Sequence, residues 1–246
     1  MTTDQIIFGL AVFLIAGTVK GLVGLGLPTI TIALTSLVLP LTEAIALVAL
    51  PTVITNIWQA GVGGRFRYIV RRHWPLIVPL VVALYLTMWL VGQKGPNWAS
   101  VVLGLVLVVY GAMGLLRLRL RLPLDLEKPL APVIGVVSGF VAGLVGVPVI
   151  PLMPYLQALE IRPAELVQTL GIVLCATSLA LTGSLLNFGL LDGPHALLSA
   201  AAMVPSVAGM WLGQRIRARL SVEQFRVAVF TALALTGLYT VLSRLL

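Results

Sequence analysis

GTVKGLVG, at Gly17–Gly24, returns as GFVAGLVG at Gly139–Gly146, a shift of 122 residues in a chain of 246. The same shift carries Glu43 onto Glu165, Gly61 onto Gly183, Phe66 onto Phe188, His73 onto His195 and Trp89 onto Trp211. Coincident Leu and Val mean little in so apolar a sequence. The chain holds only 2 His and 5 Trp, however, so their coincidence marks an internal repeat. The sequence is read as two homologous halves, residues 1–122 and 123–246, joined near LRLRLRLPLDLEKP, its most polar connection.

Hydrophobic residues make up 59% of the chain and charged residues 10%, and the mean hydropathy is +1.09. These values describe an integral membrane protein. A spanning helix takes about 20 apolar residues, so the length accommodates roughly eight to ten spans and no sizeable soluble domain. The first apolar run follows Asp4 with no Lys or Arg before it, which reads as the start of a span and not as a cleavable signal. The single cysteine, Cys175, excludes an intrachain disulfide and a cysteine-held metal cluster.

The formal charge of +8 lies in bursts between apolar spans: Arg65, Arg67, Arg71 and Arg72; then Arg117, Arg119, Arg121 and Lys128; then Arg215, Arg217, Arg219 and Arg226. Such bursts orient a membrane protein. No aromatic residues alternate with them as a base-stacking platform would require, so nucleic acid is excluded as a partner.

In the first half the apolar segments are residues 6–25, 42–60, 75–92 and 97–116, with a short apolar stretch from Pro28 to Pro40. Counting the short stretch as a helix in both halves gives five plus five helices. With the 61–74 loop cytoplasmic, all of the 16 Lys and Arg except Lys20, Lys94 and Arg244 then fall on the cytoplasmic side. Four plus four would move Arg162, Arg215, Arg217, Arg219 and Arg226 outside. The expected fold is therefore all-α and polytopic, about ten helices in two inverted repeats of five. Both termini are outside, and a broken or short helix stands at the start of each repeat. Paired interruptions of this kind point to a transporter site where the repeats meet.

Lys20 is the conspicuous charge. A lysine at membrane depth costs about 2.5 kcal/mol or more, so it faces a cavity or partner, or its chain snorkels to the interface. Its nearest acids in sequence are Asp4 and Glu43, and the expected partner is a transported anion. Glycines at Gly24, Gly26 and Gly146 fit the same reading, since a helix restarting after them offers backbone N–H groups to an oxyanion. Gly17, Gly21, Gly139 and Gly143 are spaced as GxxxG, the pattern of close helix packing. Thr52, Thr55, Asn56 and Gln59 fall on one helical face, and Ser178 matches Asn56 under the repeat. Their polar groups serve either an anion or interhelical hydrogen bonding.

Pro51, Pro79 and Pro205 lie within apolar runs and are expected to kink them. His73 and His195 are expected at the interface and Trp74 and Trp98 as interface anchors. Glu43 and Glu165 stand at helix starts, where the helix dipole accounts for them. No nucleophile–base pair, metal cluster or phosphate loop occurs, so no enzyme, catalytic residue, metal or cofactor is expected.

The GxxKGLxGxGxP start of the first half, its GxxxGLxGVPxxPxxP echo and the overall length resemble the TauE/SafE sulfite exporter family. The resemblance implies a bacterial inner-membrane carrier, an exporter of small sulfur-containing anions such as sulfite, sulfoacetate or other organosulfonates. Carried over by motif, its site residues are Lys20, Gly21, Gly24, Gly26 and Pro28, with Gly143, Gly146 and Pro148. The second copy departs from the pattern at Val147 and Pro148. Uptake of another organic anion and a non-transporting membrane assembly protein are the competing readings. Partners expected are a small anion and the lipid bilayer, with a homodimer left open.

Overall fold

The computed structural model describes residues 3–24, 26–91, 98–116, 121–159, 161–216 and 222–245. Lys94, Arg117, Arg119, Arg217 and Arg219 lie outside the described residues, as do the side chains of Asp4 and Arg244. Among the described residues the secondary structure is helical throughout. The helices are α1 (Thr3–Val23), α2 (Leu27–Thr35), α3 (Leu41–Gly61), α4 (Phe66–Val91), α5 (Ala99–Leu116), α6 (Leu124–Val145), α7 (Val149–Ala158), α8 (Pro163–Asn187), α9 (Gly193–Ile216) and α10 (Val222–Leu245). Of these, α3, α4, α5, α6, α8, α9 and α10 are long and apolar enough to cross a membrane. With 9 residues in α2 and 10 in α7, each extends only about 15 Å, half the thickness of the hydrocarbon core.

Two compact units divide the chain, and neither coincides with a sequence half. The first comprises Met1–Pro51, Pro96–Leu118 and Leu190–Leu246, and the second Thr52–Gly95 and Arg119–Gly189. In the first unit α1 packs on α9 and α5 on α10; in the second α4 packs on α6 and α8. Each unit thus draws helices from both halves. Under the shift of five helices that relates the halves, the α1–α9 pair corresponds to the α6–α4 pair.

Glycine faces set these contacts. A Cβ at Gly17 would stand 2.3 Å from the Ser206 carbonyl oxygen and one at Gly21 2.2 Å from that of Met210. In the second unit a Cβ at Gly139 would reach 2.2 Å from the Leu80 oxygen, and one at Gly143 would meet the Thr87 side chain at 2.6 Å. Backbones this close gain dispersion contact that lipid cannot supply, and any side chain would force them apart. The outward faces are apolar instead: Leu197, Val204 and Trp211 run exposed along α9. Large apolar residues outside and small ones between helices suit a lipid solvent.

The prolines do not break their helices: α3, α4 and α9 continue through Pro51, Pro79 and Pro205. At Pro51 the physical reason is visible. Proline has no N–H for the carbonyl four residues earlier, that of Leu47. The hydroxyl of Ser199 on α9 donates to that carbonyl at 2.9 Å and accepts from the Leu50 N–H at 3.2 Å. Ser199 is fully buried, so no water is at hand to replace it. Ser199→Ala should lower stability in detergent by about 1–3 kcal/mol by leaving a buried carbonyl unmet. In a Pro51→Ala background, which restores the backbone donor, the loss should shrink; a thermal-unfolding double-mutant cycle measures the coupling.

Asp192 starts α9 as its cap, accepting from the His195 backbone N–H at 3.1 Å and contacting the His195 ring Nδ1 at 2.6 Å. These bonds, the backbone one first, hold its carboxyl below the ordinary carboxylate range. A depressed value means the cap contributes fully above the unfolded value of about 4 and is lost as pH falls through the lower folded one. Hydrogen exchange in the first turn of α9, corrected for intrinsic rate, should accelerate on acidification in the wild type. In Asp192→Ala it should be fast at every pH.

Candidate functional site

The first broken helix lies in the first unit. α1 ends where the Gly24 N–H bonds the Lys20 carbonyl at 2.7 Å, with Gly24 at φ 87°. Gly26, at φ 108°, precedes α2, and Pro28 occupies its first turn. Both glycines are left-handed, a conformation other residues adopt only under strain. Pro28 costs nothing there because a first-turn N–H has no helical acceptor. Lys20, in the last turn of α1, is 3% exposed. A narrow cleft in this unit is lined by Gly26, Val19 and Ile30 from the break, Tyr110 from α5, and Arg226 and Phe230 from α10. Arg226 also donates to the Gly114 carbonyl. The charge count had placed Arg226 among the orienting loop cations, so its position beside Gly26 is new.

The second broken helix lies in the second unit and ends in the same way. Gly146, at φ 79°, caps α6 with its N–H on the Ala142 carbonyl at 2.8 Å. Gly146 and Ala142 stand 122 residues after Gly24 and Lys20, and the same backbone bond forms at both places. The restart differs, because Pro148 takes the place of Gly26 at φ −90° ahead of α7. Gly143, Gly146 and Pro148 are all buried.

The polar face of α3 meets α8 in the same unit. Asn56 Nδ2 donates to the Leu174 carbonyl at 3.0 Å and to Ser178 Oγ at 3.4 Å, and Gln59 Nε2 donates to the Val167 carbonyl at 3.0 Å. Gln168 returns the bond from α8, its Nε2 donating to the Ala60 carbonyl at 3.1 Å. The amides therefore tie the helices together. Thr52 on α3 and Thr182 on α8 differ: their buried hydroxyls have no hydrogen-bond partner among the described residues.

Below this face lies an ion network that the sequence reading did not contain. Arg72 on α4 grips Glu127 on α6 through Nε at 2.7 Å and Nη2 at 2.8 Å, and reaches Glu165 on α8 at 3.5 Å. Arg65 bonds the other Glu165 oxygen at 3.1 Å, while its backbone N–H bonds Gln168 Oε1. Glu165 stands in the first turn of α8, as its helix-start position implied, yet its carboxylate serves these arginines. His73 is buried, 1% exposed, and its Nε2 has no hydrogen-bond partner among the described residues. Its spacing from Ile69, Leu76 and Leu80, all buried, puts it on the inner face of α4. His195, Trp74 and Trp98 do lie toward the exterior.

A scan against family models matches the sulfite exporter TauE/SafE family over residues 9–240. The chain belongs to the TauE/SafE family. A search of curated proteins and a search of solved structures each found no match. As a TauE/SafE member the chain is a multi-pass membrane protein and a transporter of the sulfite and anion exporter type, in a family of transporters and not of enzymes. Among the described residues no group of His, Cys, Asp and Glu is arranged to hold a metal ion.

In this TauE/SafE chain the Arg72–Glu127 pair is partly buried, with side-chain exposures of 22% and 12%. Removing one charge leaves the other with too little water. Arg72→Gln should therefore destabilise the protein by about 2 kcal/mol, between the values for surface and buried pairs. Arg72→Lys should recover only part, because an ammonium cannot make the two-pronged contact. Thermal unfolding of both variants, with Glu127→Gln completing a cycle, measures this.

Proposed function

We propose that this protein is a secondary carrier that exports a small sulfur-containing anion, such as sulfite, sulfoacetate or another organosulfonate, across a bacterial inner membrane. The observation that carries the anion site is the buried Lys20 at the left-handed break between α1 and α2. Its repeat mate is Ala142, and the second copy forms the same helix cap without a charge. The cap bond itself therefore needs no ammonium, while placing a lysine at membrane depth costs about 2.5 kcal/mol or more. An anion returns that cost when it binds. Gly24 and Gly26 let bare backbone approach the ligand, and Pro28 fixes the start of α2. Gly21 holds α1 against α9 and so sets where Lys20 stands.

The inverted repeats, residues 1–122 and 123–246 with both termini outside, are part of the same proposal. Support comes from the matching caps, from the corresponding α1–α9 and α6–α4 pairs, and from the Asn56–Ser178 contact. Residues 122 apart that touch each other lie near a two-fold axis relating the halves. Gly143, Gly146 and Pro148 are the second copy's counterpart of the first break, and Thr52, Asn56 and Gln59 of α3 with Ser178 of α8 add polar groups. Thr52 is the best donor among them to a substrate, because the amides are engaged with α8. Alternating access then exposes the bound anion to each side in turn.

Proteoliposome counterflow tests the proposal. Sulfite and sulfoacetate should exchange, and Lys20→Gln should cut the flux about tenfold or more while leaving the unfolding temperature within a few degrees. Undiminished flux in that variant would sink the role of Lys20. Exchange of carboxylates but of no sulfur anion would favour the uptake reading, and no exchange of any oxyanion would remove the carrier.

A further inference from the structure

The arginines at the start of α4 are sorted by helix face. Arg72 turns inward to Glu127 and Glu165, and Arg65, just ahead of the helix, also binds Glu165. Arg67 and Arg71 are exposed and make no ion pair or hydrogen bond among the described residues. Spaced four apart, they share one face, and Trp74, three residues on and 58% exposed, continues it. Beyond Trp74 the face is apolar and exposed at Val78 and Val82, and it ends at Trp89, 63% exposed.

Trp74 and Trp89 are 15 residues apart, about 22 Å along the helix, which sets two indoles near the two edges of a hydrocarbon slab. Arg71 and Arg67 then stand about 5 and 10 Å beyond Trp74 on the watery side, at the depth of lipid phosphates. We propose that Arg67, Arg71 and Trp74 form a binding site for the headgroup of an anionic phospholipid. The two guanidinium forks donate to the phosphodiester oxygens, Trp74 packs against the glycerol region, and the acyl chains lie along Val78 and Val82. A zwitterionic lipid carries the same phosphate with a cancelling ammonium, so the site selects by net charge.

The test is retention of lipid by the purified full-length protein, read by native mass spectrometry. Phosphatidylglycerol and phosphatidylcholine of identical acyl chains are titrated separately. Wild type should hold phosphatidylglycerol in preference, with the preference falling as salt is raised. Arg67→Gln/Arg71→Gln should bind it about thirtyfold more weakly, and Arg67→Lys/Arg71→Lys should fall between the two, because an ammonium keeps the charge but not the two-pronged contact. Inorganic phosphate at equal concentration should leave the lipid bound. Equal retention of the two lipids by wild type, an unchanged preference in the glutamine variant, or displacement by inorganic phosphate would each overturn the proposal.

Discussion

A helix that stops inside a membrane must satisfy its last carbonyls without water, and the rest of this chain is arranged around two places where that happens. At both, a left-handed glycine turns its N–H back onto a carbonyl four residues earlier, Gly24 onto Lys20 and Gly146 onto Ala142. The turn ends one helix and leaves room for a second, too short to cross the bilayer, to begin within a few residues. Broken helices have few carbonyls left unmet and several N–H groups exposed at the restart.

Such a break needs a rigid frame, and glycine supplies that as well. Gly17 and Gly21 press α1 onto the α9 backbone, and Gly139 and Gly143 press α6 onto α4. Each broken helix is therefore clamped over the two turns before its cap. The polar cross-links act on the same scale. Ser199 replaces the donor that Pro51 removes, and Asn56, Gln59 and Gln168 cross-link α3 and α8 through backbone carbonyls. In a medium without competing water, these bonds fix one register between helices whose apolar surfaces alone would slide.

The helical class and both breaks were legible in the sequence, because hydropathy, glycine spacing and duplication are local signals; the start of α4 was not, since its first turns from Phe66 carry the arginines that made 61–74 read as a loop. Partners were not. GxxxG at Gly17–Gly21 says that α1 packs closely, but nothing in it names α9, nearly two hundred residues downstream. Thr52, Asn56 and Gln59 shared a face by spacing, while which of them would be occupied by α8 depended on the crossing of the two helices. Glu165 read as a helix-start acid because its arginines lie a hundred residues upstream. His73 was drawn toward the interface by the arginines around it. Its helical phase with Ile69, Leu76 and Leu80 was the signal that could have placed it inward.

The duplicated sequence also supplies its own control for the question of charge. Position 20 and position 142 are both buried, the carbonyl of each accepts the N–H of a capping glycine, and both precede the same GLVG. Alanine meets every structural requirement at the second. A fold that needed only the break would therefore use alanine, or any small residue, at the first, and would avoid the cost of taking an ammonium out of water. On α4, Arg72 is held by Glu127 and Glu165, and its charge joins α4, α6 and α8. Lys20 is a charge whose repeat mate carries none. Under the proposed function it is the group that meets the transported anion, with the left-handed Gly24 and Gly26 next to it in the chain.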